Sequence, residues 1–244
     1  MFENKLTDRV AKHNILKEIE NSFKKDFNLT ACLGAELEFY LINIQDNLQL
    51  LKLEQSIGQK IKKEKGCNQY EIEILPSVCI AYYPEIIYKM RNKIHEEIAK
   101  LDLIANFQPK PFPNDYGNSM HIHFNFLEDH DVEKYAKILC HYLPQTIHDL
   151  LQKKEDYSRL DHRFMAPTHI SYGGNNRTTL IRIPDLLPRR LEHRLASADA
   201  DPHKVICAIL NSIYSGLKHP EQIAKLDKTY GNAYDPQYNL VKII

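Results

Sequence analysis

The chain has 244 residues, with 32 Lys+Arg balanced by 32 Asp+Glu, so it offers neither a basic surface for nucleic acid nor an acidic tail. Its 43% apolar content is that of an ordinary globular protein, and its length suits one large domain or two small ones. The five cysteines (Cys32, Cys67, Cys79, Cys140, Cys207) are scattered, odd in number and without a C-x-x-C pair, which excludes a disulfide framework or a structural zinc site and fits a reducing cytoplasm. The first residues lack the apolar core of a signal peptide, no run is apolar enough to span a bilayer, and no repeat is present.

Residues 10–27 carry Ile15, Ile19 and Phe23 at the spacing of an amphipathic helix. Residues 32–44 alternate as a strand, with Glu36, Glu38 and Tyr40 on one face and Ala35, Leu37, Phe39 and Leu41 on the other. Residues 50–63 read as a helix, and Lys60, Lys62, Lys63 and Lys65 as its solvated end. Residues 69–75 form a strand with Glu71 and Glu73 on one side, and residues 84–101 a helix with a proline in its first turn. A loop rich in Pro, Gly and Asn covers residues 109–118. Residues 120–127 are a strand with His121, His123 and Asn125 on one face, followed by a helix over 132–151 that contains Pro144. Residues 153–167 are charged and weakly periodic. Residues 168–172 and 179–183 read as strands joined by a hairpin turn at Gly173-Gly174-Asn175-Asn176. A short strand at 190–195, an Asp-rich turn at 197–201 and a helix over 202–217 follow; the stretch from Lys218 is weakly patterned. Helices and antiparallel-looking strands interleave without regular βαβ spacing, and neither G-x-G-x-x-G nor a Walker A sequence is present.

The chemistry lies in Glu36 and Glu38, Glu64 and Glu71, His121 and His123, and Glu192. Each pair alone is ordinary: E-x-E suits a solvent-facing edge, and H-x-H suits two satisfied histidines or a zinc half-site. Together, on strands of one sheet, such carboxylates need cations to offset their repulsion, which points to hard divalent ions. Arg159, Arg177, Arg182 and Arg194 add groups that hold phosphate or carboxylate bidentately. Metal-binding carboxylates beside anion-binding arginines are what ATP-dependent activation of a carboxylate requires.

Five segments in order resemble the catalytic domain of the glutamine synthetase family. They are G-A-E-L-E-F-Y at 34–40, E-K-G-C-N-Q-Y-E at 64–71, G-N-S-M-H-I-H at 117–123, N-R-T-T-L-I-R-I-P at 176–184, and R-L-E-H-R at 190–194 followed by D-A-D-P-H at 199–203. The resemblance implies a single α+β domain over 1–244: a curved, mainly antiparallel sheet backed by helices, shared with guanidino kinases, with the ligands on its concave face. It implies one Mg²⁺ (or Mn²⁺) at Glu38, Glu64 and Glu71, and a second at Glu36, His121 and Glu192. His123 and Arg190, with Arg182, match contacts to the phosphates of ATP. Arg159 and Gly117 match the amino-acid substrate site. Arg177 and Arg182 match phosphate-facing catalytic arginines, and Arg194 one that grips the substrate or acyl-phosphate.

The implied reaction is ATP-dependent ligation of glutamate or a related acid to ammonia or an amine through an acyl-phosphate. The implied partners are small molecules alone, with no nucleic acid and no membrane, in the cytoplasm. Two alternatives stand beside it: a non-catalytic nucleotide- or glutamate-binding relative, and a phosphotransferase without the amine step. Three departures bear on the choice. Met165 stands where the family's flap has a glutamate that helps deprotonate ammonium, and a thioether takes no proton. Asp161 and His162, in the same flap, are candidate substitutes. The segment ahead of Glu36 reads as a helix rather than the family's β-grasp domain, and the stretch after Gly216 is short, leaving a monomer or dimer as the expectation.

Overall fold

One strand organises the protein. β1 (Ala31–Ile42) carries Leu33, Ala35, Leu37, Phe39 and Leu41 on one face, all of them buried. The computed structural model describes residues 2–243, and within these β1 pairs antiparallel with β3 (Gln69–Ser77) on one side. On the other side it pairs with β5 (Met120–Phe126) along residues 31–37 and with β4 (Ile104–Asn106) along residues 40–42. The sheet runs β2-β3-β1-β5-β8-β7-β6, where β2 is Ile61–Lys63, β6 Tyr172–Gly173, β7 Ile181–Arg182 and β8 Leu191–His193. All its pairings are antiparallel except β6 with β7.

The apolar face of this sheet meets helices α1 (Phe2–Phe27), α3 (Tyr83–Ala99), α4 (Val132–Leu150) and α6 (Pro202–Lys218), which form one continuous core with it. The helix signals act as the physics of helix ends requires. Asp131 and Asp201 accept hydrogen bonds from the backbone N–H of Lys134 and His203 at the starts of α4 and α6. Prolines occupy the first turns of α3 and α6, where no amide hydrogen is needed. His193 points into the core and is fully buried; desolvation holds it neutral, its pKa lowered to about 3. No described helix is long and apolar enough to cross a membrane.

Three sequence expectations need correction. In α1 the buried stripe is Leu16, Ile19 and Phe23, while Ile15 is 47% exposed. The helix expected over 50–63 is α2 (Asn47–Ile57), stopped by Gly58 in the left-handed conformation. The lysines beyond it are therefore not a helix end: Ile61–Lys63 is edge strand β2, and Lys62 pairs with Glu73 on the neighbouring strand. The expected hairpin around Gly173-Asn176 does not form, because β6 and β7 run parallel. The backbone that would have extended the first arm is taken by the C-terminal segment: Ile170 N–H donates to Val241 O and Ile243 N–H to Thr168 O. The short helix α5 (Lys154–Tyr157) precedes the flap at 161–167.

Two outcomes are expected from this packing. A Cβ added at Gly216 of α6 would lie 2.5 Å from Ile138 Cγ2 and 2.7 Å from its Cγ1, on α4. Gly216→Ala should therefore destabilise by about 1–3 kcal/mol despite its better helix propensity. In an Ile138→Ala background the same change should be neutral or stabilising, as measured by a denaturant double-mutant cycle. Asp129, between β5 and α4, accepts from Lys134 Nζ and Tyr135 Oη, both at 2.6 Å. Burial pushes its carboxyl up, but these bonds prevail and hold it at about 2. Because the folded pKa lies below the unfolded value near 3.9, its stabilisation is complete above that value and disappears as pH falls toward 2. Asp129→Asn should lose this acid-limb dependence, seen as a stability difference from wild type that shrinks between about pH 4 and pH 2.

Candidate active site

Antiparallel register puts the ionisable residues opposite one another. Glu38 faces Glu71, Glu36 faces His121 and Glu73, His123 faces Glu192, and Glu192 faces Arg182. Directly opposed residues lie on one face of a sheet, with Cβ atoms only about 4.5–5.5 Å apart. The result is a cavity of about 290 Å³ whose lining includes Glu36, Glu38, Glu64, Glu71, His121, Glu192 and the arginines 159, 177, 182, 190 and 194.

Donor atoms come within 4.8 Å of one another in two groups, Glu36–Glu71–His121 and Glu36–His123–Glu192, with Glu36 common to both. The two differ in character. Arg190 Nε–H can only donate, so His123 Nδ1 accepts from it at 3.1 Å. Nε2 then carries the imidazole hydrogen, directed at Glu36 Oε1 3.1 Å away. Glu192 is likewise engaged, with Oε2 accepting from Arg182 at 2.6 Å and Oε1 lying 3.1 Å from Arg194 Nε. In the Glu36–Glu71–His121 group, Glu36 Oε2 lies 3.2 Å from His121 Nδ1, while Glu71 forms no side-chain hydrogen bond or ion pair among the described residues. Their oxygen and imidazole donors fit a divalent cation such as Mg²⁺ or Mn²⁺. Glu38 and Glu64 join neither group. Glu38 accepts from the Ser119 N–H at 2.7 Å, and Glu64 lines the cavity in the turn after β2.

The electrostatics agree with that division. For Glu71, burial and then repulsion from Glu36, Glu38 and Glu64 push the carboxyl up, to about 9. Burial also raises Glu38, against the pull of His121, the Ser119 N–H and Arg159. Burial opposes ionisation of Glu36, yet the hydrogen bonds to His121 and His123 prevail and lower it. Burial is likewise overcome at Glu192, by His121, Arg194 and Arg182. The β3 side of the cavity is therefore short of positive charge, while the β8 side is already compensated.

The arginines hold different posts. Arg182 bridges Glu192 and Asn175. Arg194 donates to the carbonyls of Arg177 and Thr179, and Arg177 itself is exposed at the cavity. Arg159 lines the cavity but is only 2% exposed, its guanidinium occupied by Ser119 Oγ at 2.9 Å and the carbonyls of Arg194 and Leu195. Gly117 lies against Arg159, within a loop that Gln69 and Asn118 stitch to the sheet. Gln69 Nε2 donates to Gly117 O and Asn118 Oδ1, and Asn118 Nδ2 to the carbonyls of Asn106 and Gln108.

In the flap, Asp161 is held by Arg163 at 2.7 Å and His162 packs on Tyr234; neither lines the cavity. Met165 does, in the left-handed conformation, and its Sδ accepts from Lys65 Nζ at 2.9 Å. Sequence reasoning gave no role to Lys65, Tyr116, Ser119, Gln69, Asn118 or Tyr234. Four of them, Lys65, Gln69, Asn118 and Ser119, fall inside the resembling segments, which was a usable signal. Tyr234, whose hydroxyl donates to the flap carbonyl of Ala166 at 2.9 Å, lies in unpatterned sequence and gave none.

The fold and this cavity define a class: an α+β domain presenting a cluster of carboxylates and imidazoles ringed by guanidinium groups. Residues 49–137 and 140–241 match the family described as glutamine synthetase, catalytic domain, and the chain belongs to that family. Gamma-glutamylputrescine synthetase of Escherichia coli (strain K12) is 27% identical over 213 residues, covering 81% of this chain and 44% of that protein. Glutamine synthetase of Pyrococcus furiosus is 28% identical over 185 residues, covering 67% of this chain and 40% of that one. The chain thus spans less than half the length of these two curated relatives. A GmaS/ADP complex has the same fold, with a TM-score of 0.78 over 95% of this chain and 64% of its own at 21% identity.

A Cβ at Gly117 would lie 2.2 Å from Arg159 Cγ and 2.7 Å from Pro109 O. Gly117→Ala is therefore expected to dislodge Arg159 and cost about 1–3 kcal/mol in chemical denaturation. A variant as stable as wild type would mean that the arginine is not pinned against this loop.

Proposed function

We propose that this protein is an ATP- and Mg²⁺-dependent carboxylate–amine ligase, which activates glutamate or a related acid as its acyl-phosphate and transfers the acyl group to an amine. The single observation that carries this reading is the Glu36–Glu71–His121 group, with Glu71 under-compensated, in the same cavity as Arg177, Arg182, Arg190 and Arg194. Bound there, a divalent cation supplies charge neutralisation for a polyphosphate. The β8 side supplies the rest from its own residues. Arg182 and Arg190 hold phosphate oxygens, and Arg194 holds the acyl group at the reacting carbon. His123, fixed by Arg190 with its hydrogen at Nε2, can offer that hydrogen to a phosphate oxygen in place of Glu36. A second cavity of about 260 Å³ shares Glu36, Glu73 and Arg190 with the first, reaches His123 and Asn125, and has a mainly apolar wall that includes Ala35, Ile74, Leu75, Pro76 and Leu127. It is the apolar place for a nucleotide base. Arg159 and Gly117 set the acid-binding end through the loop they brace. In this reading, residues 1–244 act as one catalytic domain in the cytoplasm, on small-molecule substrates.

A second reading has its own observation. The flap offers no proton acceptor to the cavity, since Met165 faces it and Asp161 is spent on Arg163. A relative that binds nucleotide and acid without the amine step fits that wall equally well.

The distinguishing experiment measures phosphate release from ATP with Mg²⁺ and glutamate, with and without amines, beside a thermal-shift titration with Mg²⁺ or Mn²⁺ and ADP. The ligase reading expects amine-stimulated phosphate release and a metal-dependent rise in Tm. Glu36→Ala should lower turnover on the order of a hundredfold and abolish the shift. Unchanged activity in that variant sinks the cation assignment; nucleotide binding without turnover favours the second reading.

A further inference from the structure

The loop side of the cavity has a charge pattern of its own. Its wall is Tyr116, Phe164 and Met165, with the two rings edge to face at 5.4 Å. Lys110 lies over the Phe164 ring at 3.6 Å. Three of the acidic groups around this wall are already engaged. Asp161 is bound to Arg163, Glu73 to Lys62, and Asp115 to the N–H groups of Cys67 and Tyr116. Glu64, which repels Glu38 and Glu71, and Asp185, on the separate loop after Pro184, also line the cavity and form no ion pair among the described residues. Lys65 stands apart. It lines the cavity, its ammonium touches the Met165 thioether at 2.9 Å, and among the described residues it forms no ion pair.

Resting on the ligase reading above, we propose that the amine acceptor docks against Lys65, Met165 and Phe164, and that it is an amine carrying its own carboxylate, an amino acid, rather than ammonium, an alkylamine or a diamine. Lys65 offers an unmatched cation for that carboxylate, and the thioether and ring cover its carbon skeleton. The same charge repels a cationic acceptor, so the wall selects by exclusion as well as attraction. It also favours the reactive form of the amine, because a neighbouring cation disfavours ammonium relative to free amine. The step balances without a base in the flap. The neutral amine nitrogen forms the C–N bond to the acyl carbon and the acyl C–O bond to phosphate breaks. Phosphate leaves with that electron pair and takes up the proton that the nitrogen loses, departing as hydrogen phosphate.

The test is phosphate release and amide formation with ATP, Mg²⁺ and glutamate against glycine, γ-aminobutyrate, ammonium, methylamine and putrescine. It is run on wild type, Lys65→Gln and Lys65→Glu, with Mg·ATP affinity measured in parallel. Wild type should prefer the amino acids. Lys65→Gln should raise their KM, and Lys65→Glu should raise it further, by about tenfold or more in total, while improving putrescine, since inverting one close charge is worth at least about 1.4 kcal/mol. Wild type preferring ammonium, methylamine or putrescine overturns the proposal, as does a ranking that stays the same in Lys65→Glu. So does nucleotide binding without turnover on any amine. Failure of the wild type to bind Mg·ATP, by contrast, removes the ligase reading itself.

Discussion

Carboxylates crowded on one face of a sheet repel one another unless positive charge stands among them, and the rest of this structure is arranged around that constraint. Glu36 is its centre. β1 places it opposite His121 on one side and Glu73 on the other, one step along the strand from the Glu38–Glu71 pair. On the β8 side the repulsion is met from within the chain, by Arg182, Arg190 and Arg194. On the β3 side it is not, and burial with mutual repulsion pushes Glu71 up. That unbalanced side is where the proposed cation would offset the repulsion.

Positioning such a site demands a rigid floor, and the core supplies it. Every second residue of β1 is packed beneath the sheet against α1, α3, α4 and α6, so a one-residue slip would bury carboxylates and expose Leu37 and Phe39. The walls are held differently, by polar braces rather than packing. Gln69 and Asn118 fix the Gly117 loop. Asn176 donates to the carbonyls of Thr229 and Gly231, and Tyr234 to that of Ala166, so the C-terminal segment secures both the Arg177 loop and the flap. A buried guanidinium such as Arg159 is tolerated there because carbonyls and Ser119 Oγ satisfy most of its hydrogens.

The floor was legible and the walls were not. Alternation in β1, β3 and β5 is a local property, set by the two-residue pleat, and it put Glu36, Glu38, Glu71, His121 and His123 on one-sided strands before any contact was known. The expected hairpin at Gly173-Asn176 failed because its turn residues were read locally, whereas a remote segment, residues 241–243, had taken the backbone it needed. Lys60, Lys62 and Lys63 were read as helical because their charge outweighed one glycine; Gly58 ends the helix and Glu73 recruits Lys62 into a strand pair. Tyr234 carried no pattern, and the place of Lys65 at the cavity was not read, since both rest on contacts to residues far along the chain.

By itself, the sequence determined which side chains share a strand face, where helices start, and the family motifs, because these depend on spacing along the chain. Only the tertiary structure decided which carboxylates are matched by arginines and which are not, which arginine is a brace, and that a methionine beside a lysine faces the cavity in the flap. Those outcomes are set by register between strands and by loop closure, and both bring together residues whose separation in sequence says nothing of their distance in space.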